Sequence, residues 1–443
     1  MIRVRPLARF VILFLLLVSN AWGQTREEKV RADKQKVEAA GKWIYNDISR
    51  AFAEAKMTGK PIVAVLRCLP CVECVKLDDE LIDTDERIKP LLEKFVPLRI
   101  VSTNGLDLSL FQFDTDQSFA VFFLREDGTI YGRFGTRSHR TNWVGDVSVS
   151  GLARAMEGAL ELHSDFERVK DSLAGKRGPA PQFARPELFP GLKDKYKSTI
   201  NYAGDVVKSC IHCHQIGDEI REEYFRRHEV LPDSILFPYP HPKSLGLTLD
   251  PKERATVIDV EPGSAAEKAG FQANDRIQTL AGQPLLSTAD VQWVLHQTPA
   301  TGATVTAHIL RNGQPLERSL KLDDGWRQRD EISWRSSSWN LRRRGLGGFF
   351  AVDLSADDRT KLKLDSGKMG FLIQHVGLYP PHDVAHKAGL RKGDVLIGFD
   401  GRTDFTRETD LLKYALRDKR PGDTVKLQIL RDASPQTITI TLP

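Results

Sequence analysis

The sequence predicts a multidomain chain that combines an α/β unit with β-rich units, and three observations carry that expectation. The chain has 443 residues, which at roughly 150 residues per domain corresponds to about three domains. Its five cysteines fall in two clusters only, Cys68, Cys71 and Cys74, then Cys210 and Cys213; a disulfide-stapled scaffold would disperse them. The C-terminal part repeats itself. Val260-Glu-Pro-Gly-Ser-Ala-Ala-Glu-Lys-Ala-Gly-Phe271, Asn274-Asp-Arg-Ile277 and Gly282 are echoed by Val384-Ala-His-Lys-Ala-Gly-Leu390, Gly393-Asp-Val-Leu-Ile397 and Gly401, the signature of one structural unit used twice.

Hydrophobic residues at 41% and charged residues at 28% exclude a largely disordered chain and a multi-spanning membrane protein. Residues 1–23 read as a secretory signal: a basic start, an apolar run from Phe10 to Val18, then Ala21-Trp22-Gly23 ahead of a cut before Gln24. Nine apolar residues are too few for a bilayer span of about 20, and no later stretch is long and apolar enough. Removal of that segment takes Arg3, Arg5 and Arg9 with it and leaves 61 Lys and Arg against 59 Asp and Glu. So small a surplus points to no nucleic-acid partner. The expected location is periplasmic or otherwise exported and soluble, in an oxidising compartment.

Along the chain, Glu27 to Lys56 reads as charged and helical, with residues 24–41 as an N-terminal helix and Trp43, Ile44, Ile48, Phe52 and Ala55 on one apolar face. Gly59-Lys60-Pro61 stops it. Ile62 to Leu66 is a buried strand leading through Cys68-Leu-Pro-Cys71 into a helix from Val72 to Ile82. Strands from Phe95 to Val101, Ala120 to Leu124 and Thr129 to Phe134, with a turn at Glu126-Asp127-Gly128, and a helix from Ser150 to His163 complete an α/β sandwich over 42–165. Residues 166–190, rich in Pro, Gly and charge, read as a linker, and 323–344 as a second one. Each C-terminal repeat continues into a helix, Thr288 to Gln297 or Glu408 to Asp418, and paired strands, among them Thr304 to Arg311 and Thr424 to Arg431.

Cys210-Ile-His-Cys213-His214 is the strongest local motif. Two cysteines three positions apart can form thioethers with the two vinyl groups of one haem, and the following histidine then lies under the iron. The motif resembles the attachment site of c-type cytochromes, which implies one covalent haem c, held by Cys210 and Cys213 with His214 as proximal ligand. A local disulfide or part of a zinc site is the alternative, although no third and fourth cysteine lie nearby. His228 continues on the helix of His214. His241, in the proline-rich Phe237-Pro-Tyr-Pro-His-Pro242, is therefore the first candidate for the distal position, beside Met57, Met156, Met369 or an open site.

Cys68-Leu-Pro-Cys71 at a strand-to-helix junction puts a thiol where the helix dipole favours thiolate, with Arg67 alongside. With Trp43, Ala51, Ala55-Lys56 and Gly59-Lys60-Pro61 ahead of it, the stretch 40–165 resembles the secreted branch of the thioredoxin-like superfamily. That resemblance implies a redox pair at Cys68 and Cys71. Two departures stand against it. Arg67 replaces the usual tryptophan, and Gln117-Ser118-Phe119-Ala120 stands where the family places a cis-proline. Cys74 adds a thiol one turn on, either to resolve a mixed disulfide or to hold Cu(I) with Cys68, Cys71 and His139; an idle disulfide is the bland alternative.

The repeats resemble PDZ domains, most closely the permuted kind of Deg-type periplasmic proteases, with Asn274 in place of a glycine in the first copy and a diverged Tyr379-Pro-Pro-His382 turn in the second. The resemblance implies carboxylate-binding loops at Leu245, Gly246 and Leu247 and at Leu346, Gly347, Gly348 and Phe349. The strands that follow would accept a peptide as an added strand. Val291, Val294, Leu412 and Leu416 would line the other wall or belong to the core. Trp326 to Arg344, with six arginines and three tryptophans, reads as an interdomain connector. A Gly-x-Ser-Gly nucleophile is missing, which argues against a protease.

Together these readings predict a thioredoxin-like α/β domain, a short helical haem c segment at 191–242, and two PDZ-like domains at 243–322 and 345–443. The function they imply is periplasmic electron transfer or thiol redox, with a redox partner protein and with peptides or protein C-termini docked on the PDZ-like domains. The rival is a non-enzymatic PDZ adaptor or haem-based sensor whose thioredoxin-like domain is redox-inactive.

Overall fold

A computed structural model describes residues 25–67, 85–117, 119–136, 147–365 and 367–443. The expected secretory segment, the helix expected from Val72 to Ile82, the thiols Cys68, Cys71 and Cys74, and His139 lie outside the described residues.

The charged N-terminal stretch forms two helices. Helix α1 (Arg26–Ala40) starts in a capping box of Thr25 and Glu28 and ends at Gly41, whose φ of 64° is left-handed. A two-residue strand β1 (Ile44–Tyr45) intervenes before α2 (Ile48–Thr58), capped by Asp47. The break falls at Gly41, so Trp43 and Ile44 leave the helical face on which their spacing had placed them.

Strands β2 (Ile62–Arg67), β3 (Val96–Ile100), β4 (Phe119–Leu124) and β5 (Ile130–Thr136) join β1 in the order β1-β3-β2-β4-β5. β2 is parallel to β3 and antiparallel to β4. Every residue of β2 and β4 is buried, so both faces of the sheet need cover. The alternation divides them: Val63, Val65, Val121 and Phe123 enter one core with Leu152, Ala155, Met156 and Ala159 of α3 (Val149–Ser164). Ile62, Ala64, Leu66 and Phe122 enter the other with Ala51 and Ala55 of α2.

Neither expected linker is a loose connector. Residues 166–190 open with α4 (Phe166–Leu173); Leu173 closes the first sheet core and Phe189 the second. Lys176, 1% exposed, pairs at 2.8 Å with the equally buried Asp290 of the first C-terminal unit. The helix of the cysteine-histidine motif, α5 (Cys213–Arg226), is no separate domain either: Ile211 and Ile216 complete the second core of the α/β sheet.

The first C-terminal unit pairs β6 (Leu247–Leu249) with β7 (Val257–Val260) beside a sheet of β8 (Arg276–Leu280), β9 (Gln283–Pro284), β10 (Ala303–Arg311) and β11 (Gln314–Leu322). Its helix α6 (Thr288–Gln297) buries Val291, Val294 and Leu295 in its own core and lies against β5 of the α/β unit. There Arg133 N–H donates to Asp290 Oδ1 at 3.1 Å and Trp293 Nε1 to the Gly175 carbonyl at 2.8 Å. Gly132 permits this approach, since a Cβ there would lie 2.5 Å from Leu286 Cδ1.

Between the repeats, α7 (Ser338–Leu346) and the turn before it bury Trp326, Arg327, Arg335 and Arg342. The expected basic connector is thus an interior hub, and its arginines are paired. Arg335 Nη1 donates to Asp114 Oδ1 at 2.6 Å and Nη2 to the Pro238 carbonyl at 2.5 Å. The second unit is a five-stranded sheet, β12 (Phe349–Asp353), β13 (Phe371–Val376), β14 (Val395–Phe399), β15 (Thr424–Arg431) and β16 (Ser434–Thr441), in chain order, closed by α8 (Glu408–Arg417).

Candidate functional site

The cysteine-histidine segment is fixed to the carboxyl end of β3. Thr103 donates from its N–H (3.3 Å) and its Oγ1 (2.8 Å) to the Ile211 carbonyl. Ile211 N–H donates to Asn104 Oδ1 at 2.8 Å, and Asn104 Nδ2 donates to the Ser209 carbonyl at 3.0 Å. Because Leu66 of β2 is in register with Ile100 of β3, this segment sits beside the strand end at which the chain leaves Arg67 towards Cys68. Arg67 itself, expected to bias the Cys68 thiol, pairs with Asp33 of α1, which also accepts from the Tyr45 hydroxyl at 3.0 Å.

Cys210 and Cys213 are free thiols. Burial pushes the Cys210 thiol up, and burial with Cys210 nearby pushes Cys213 up to about 12, so neither ionises at neutral pH. His212 caps α5, and its ring stacks on His214 at 5.7 Å between centroids with 6° between planes. Burial lowers His214, against an opposing pull from Asp116. No hydrogen bond to the His214 ring is formed among the described residues. Two free thiols three positions apart, followed by a neutral imidazole without such a bond, are chemically the donor set of a covalent haem. Among the described residues no group of three or more His, Cys, Asp and Glu side chains is arranged to hold a metal ion. His241 lies in the turn that leads into β6. Its Nδ1 accepts the Lys243 N–H at 3.3 Å and its own N–H donates to Asp330 Oδ1 at 3.2 Å.

The expected carboxylate loops turn their glycine N–H groups inward. Gly246, at φ 82°, donates to the Lys243 carbonyl at 3.0 Å, with Leu245 and Leu247 buried on either side. Gly348 donates at 3.0 Å back to the Arg342 carbonyl within α7, and Gly347 closes the same helix, between buried Leu346 and Phe349. The groove walls are engaged too. Ala351 N–H, on the outer edge of β12, donates to Glu408 Oε1 at 3.1 Å, and Arg342 holds that carboxylate through Nε (3.0 Å) and Nη2 (2.6 Å). In the first unit Gln292 Nε2 donates to the Tyr239 carbonyl at 3.2 Å, and the Tyr239 ring stacks on His296 at 3.9 Å. Arg342, Glu408 and Tyr239 escaped the sequence reading; the only signal was their place within a turn of a groove element.

Residues 43–125 match the model of a thioredoxin-like family, and residues 243–322 and 367–442 match that of the PDZ domain. The chain thus contains a thioredoxin-like domain and two PDZ domains. Among curated proteins it is similar to the periplasmic pH-dependent serine endoprotease DegQ of Escherichia coli K12, 37% identical over 150 residues, which is 34% of this chain and 29% of that one. It is also similar to a probable periplasmic serine protease do/HhoA-like of Haemophilus influenzae, 32% identical over 149 residues, 34% of this chain and 28% of the relative. The chain spans less than a third of the length of these relatives. Among solved structures, an HtrA-type protease AlgW with tripeptide overlaps 43% of this chain and 59% of its own at 12% identity and a TM-score of 0.22. A serine endoprotease from Yersinia pestis overlaps 26% and 38% at 21% identity and a TM-score of 0.19. No helix among the described residues is long and apolar enough to cross a membrane.

Proposed function

We propose that this is a periplasmic redox protein that carries one covalent haem c at Cys210, Cys213 and His214 and docks on partner proteins through its PDZ domains. The observation that supports it best is the clamp of Thr103 and Asn104 on Ile211, which sets the thiol-histidine segment beside the strand end that leads to Cys68. Bound haem would supply a one-electron iron couple. The chain's own residues do the rest: Cys210 and Cys213 present two thiols kept protonated by burial, and His214 presents a neutral ring nitrogen. Thr103 and Asn104 hold the segment in register. The Cys68/Cys71 pair, which follows Arg67 in the sequence, is the proposed thiol partner, with Cys74 as resolving thiol.

The PDZ domains supply the docking. The inward-turned loops and the engaged Gln292 and Glu408 mean that a peptide must displace internal contacts to add a strand. The second reading, an adaptor or haem-based sensor with an inactive thioredoxin-like domain, is favoured by the Arg67–Asp33 pair, which takes up the charge that would stabilise a Cys68 thiolate. Expression with a cytochrome c maturation system, followed by peroxidase-stained denaturing gels and pyridine haemochrome spectra, tests the first reading. Haem that survives denaturation and disappears in Cys210→Ala/Cys213→Ala supports it. A folded protein without covalent haem leaves the adaptor.

A further inference from the structure

A cavity of about 490 Å³ opens where the thioredoxin-like domain, α5 and the first PDZ domain meet. Nothing in the proposed redox function uses it. Its volume lies within the roughly 300–1,000 Å³ of small-molecule sites. Its walls come from five separate segments: Phe111 from the loop before β4, Phe183 and Phe189 from the segment after α4, Tyr224 from α5, Tyr239 from the proline-rich stretch before β6, and Trp293 from α6. Phe183 and Phe189 meet at 4.6 Å, and Tyr239 lies nearly parallel to His296. Six aromatic rings around one space favour a flat apolar guest, which can stack on one wall and meet ring edges on another.

One polar group in the wall has a defined role. The Tyr239 backbone N–H donates to His296 Nδ1 at 3.4 Å, so that nitrogen carries no proton. Burial and the nearby Arg327, Arg335 and Arg133 hold the imidazole neutral at ordinary pH. The single ring proton therefore sits on Nε2, which has no hydrogen-bond acceptor among the described residues. An apolar guest of the right shape would leave this donor unsatisfied, whereas a carbonyl or phenolate oxygen would accept from it.

We infer that this cavity is a binding site for a planar aromatic small molecule bearing a carbonyl or phenolate oxygen, with His296 Nε2 as hydrogen-bond donor to that oxygen. Ile216 and Ile220 of α5 form part of its floor. Occupancy would thus tie the helix of the Cys213–His214 motif to the first PDZ domain.

Two probes of nearly equal shape separate the parts of this inference: 2-acetylnaphthalene, which has the acceptor, and 2-ethylnaphthalene, which lacks it. Titration calorimetry on the full chain should show one saturable site for 2-acetylnaphthalene and binding of 2-ethylnaphthalene weaker by about fivefold, the worth of one ordinary hydrogen bond. His296→Phe keeps the ring stack and removes the donor, and should erase that difference. Ile220→Trp fills the cavity and should abolish binding of both; Ser234→Trp, in another part of the wall, serves if the first variant fails to fold by circular dichroism. Absence of saturable binding up to the solubility limit, or binding that survives a folded cavity-filling variant, overturns the site. Equal affinity for the two probes in the unaltered protein overturns the assignment of His296 and of the oxygen-bearing class. None of these readouts depends on haem attachment.

Discussion

Arg342 and Glu408 form a bidentate ion pair, 3.0 and 2.6 Å, across the second PDZ domain, and Oε1 of the same carboxylate accepts the Ala351 N–H. Both side chains are buried. An added peptide strand on β12 would need that outward N–H, so the pair occupies one rung of the groove. Removing one partner leaves the other charge buried and unpaired. Arg342→Met alone or Glu408→Leu alone should therefore cost about 3 kcal/mol or more in urea unfolding. The double variant removes both charges and should recover most of that loss. It also frees the Ala351 N–H, so a fluorescent peptide ending in a hydrophobic residue should bind the double variant at least several-fold tighter than the unaltered chain. Equal affinity would show that the pair does not guard the groove.

Lys176 and Asp290 join the segment after α4 to α6 of the first PDZ domain at 2.8 Å, each 1% exposed. Asp290 also accepts the Arg133 and Leu286 N–H groups, at 3.1 and 2.9 Å. Asp290→Ala leaves a buried ammonium and two backbone donors without their acceptor, and is expected to cost about 3–5 kcal/mol. Because these contacts tie two domains, limited proteolysis should then release the α/β part from the PDZ part before either is degraded. Proteolysis that proceeds as in the unaltered protein would show the domains held by other contacts.

The pH dependence of stability should carry the mark of His296. Burial lowers it to about 3, aided by Arg327, Arg335 and Arg133, while the Tyr239 ring covers one face. An unfolded histidine titrates near ~6.5. Above that pH the group is neutral in both states and its site has full stability. As pH falls from about 6.5 towards 3 only the unfolded chain takes up the proton, so stability drops by at most about 1.4 kcal/mol per pH unit. Urea midpoints between pH 7 and pH 4 should fall less steeply in His296→Phe. Parallel slopes in the two proteins would place the acid sensitivity elsewhere.

The α/β order was legible because β2 and β4 are continuous apolar runs that burial on both faces demands. The repeat located both PDZ domains for the same local reason. What stayed hidden is long-range. Arg335 and Asp114 are 221 positions apart, and nothing in Trp326 to Arg344 announces that its arginines turn inward. Arginine is normally a surface residue, and only the tertiary fold supplies Asp114, Glu408 and the Pro238 carbonyl as partners. The same limit applies to the loops: a Leu-Gly-Leu or Gly-Gly-Phe pattern fixes a left-handed turn, but which carbonyl its N–H meets depends on the helix or turn before it.

The clamp on Ile211 gives the last expectation. Asn104 receives the Ile211 N–H and donates to the Ser209 carbonyl, while the Thr103 hydroxyl reaches the Ile211 carbonyl. Asn104→Ala removes two bonds on either side of Cys210, and Thr103→Val removes one without loss of volume. Each ordinary hydrogen bond contributes about 1 kcal/mol, so the double variant should lose about 2–3 kcal/mol while the sheet itself stays intact. The local effect should exceed the global one: amide exchange of residues 209–217 should accelerate by one to two orders of magnitude, since the segment would open without unfolding β3. Acceleration spread evenly over β2 and β3 would mean that the segment and the sheet unfold as one unit, and that the thiol-histidine motif is held by the Ile216 core contact rather than by the clamp.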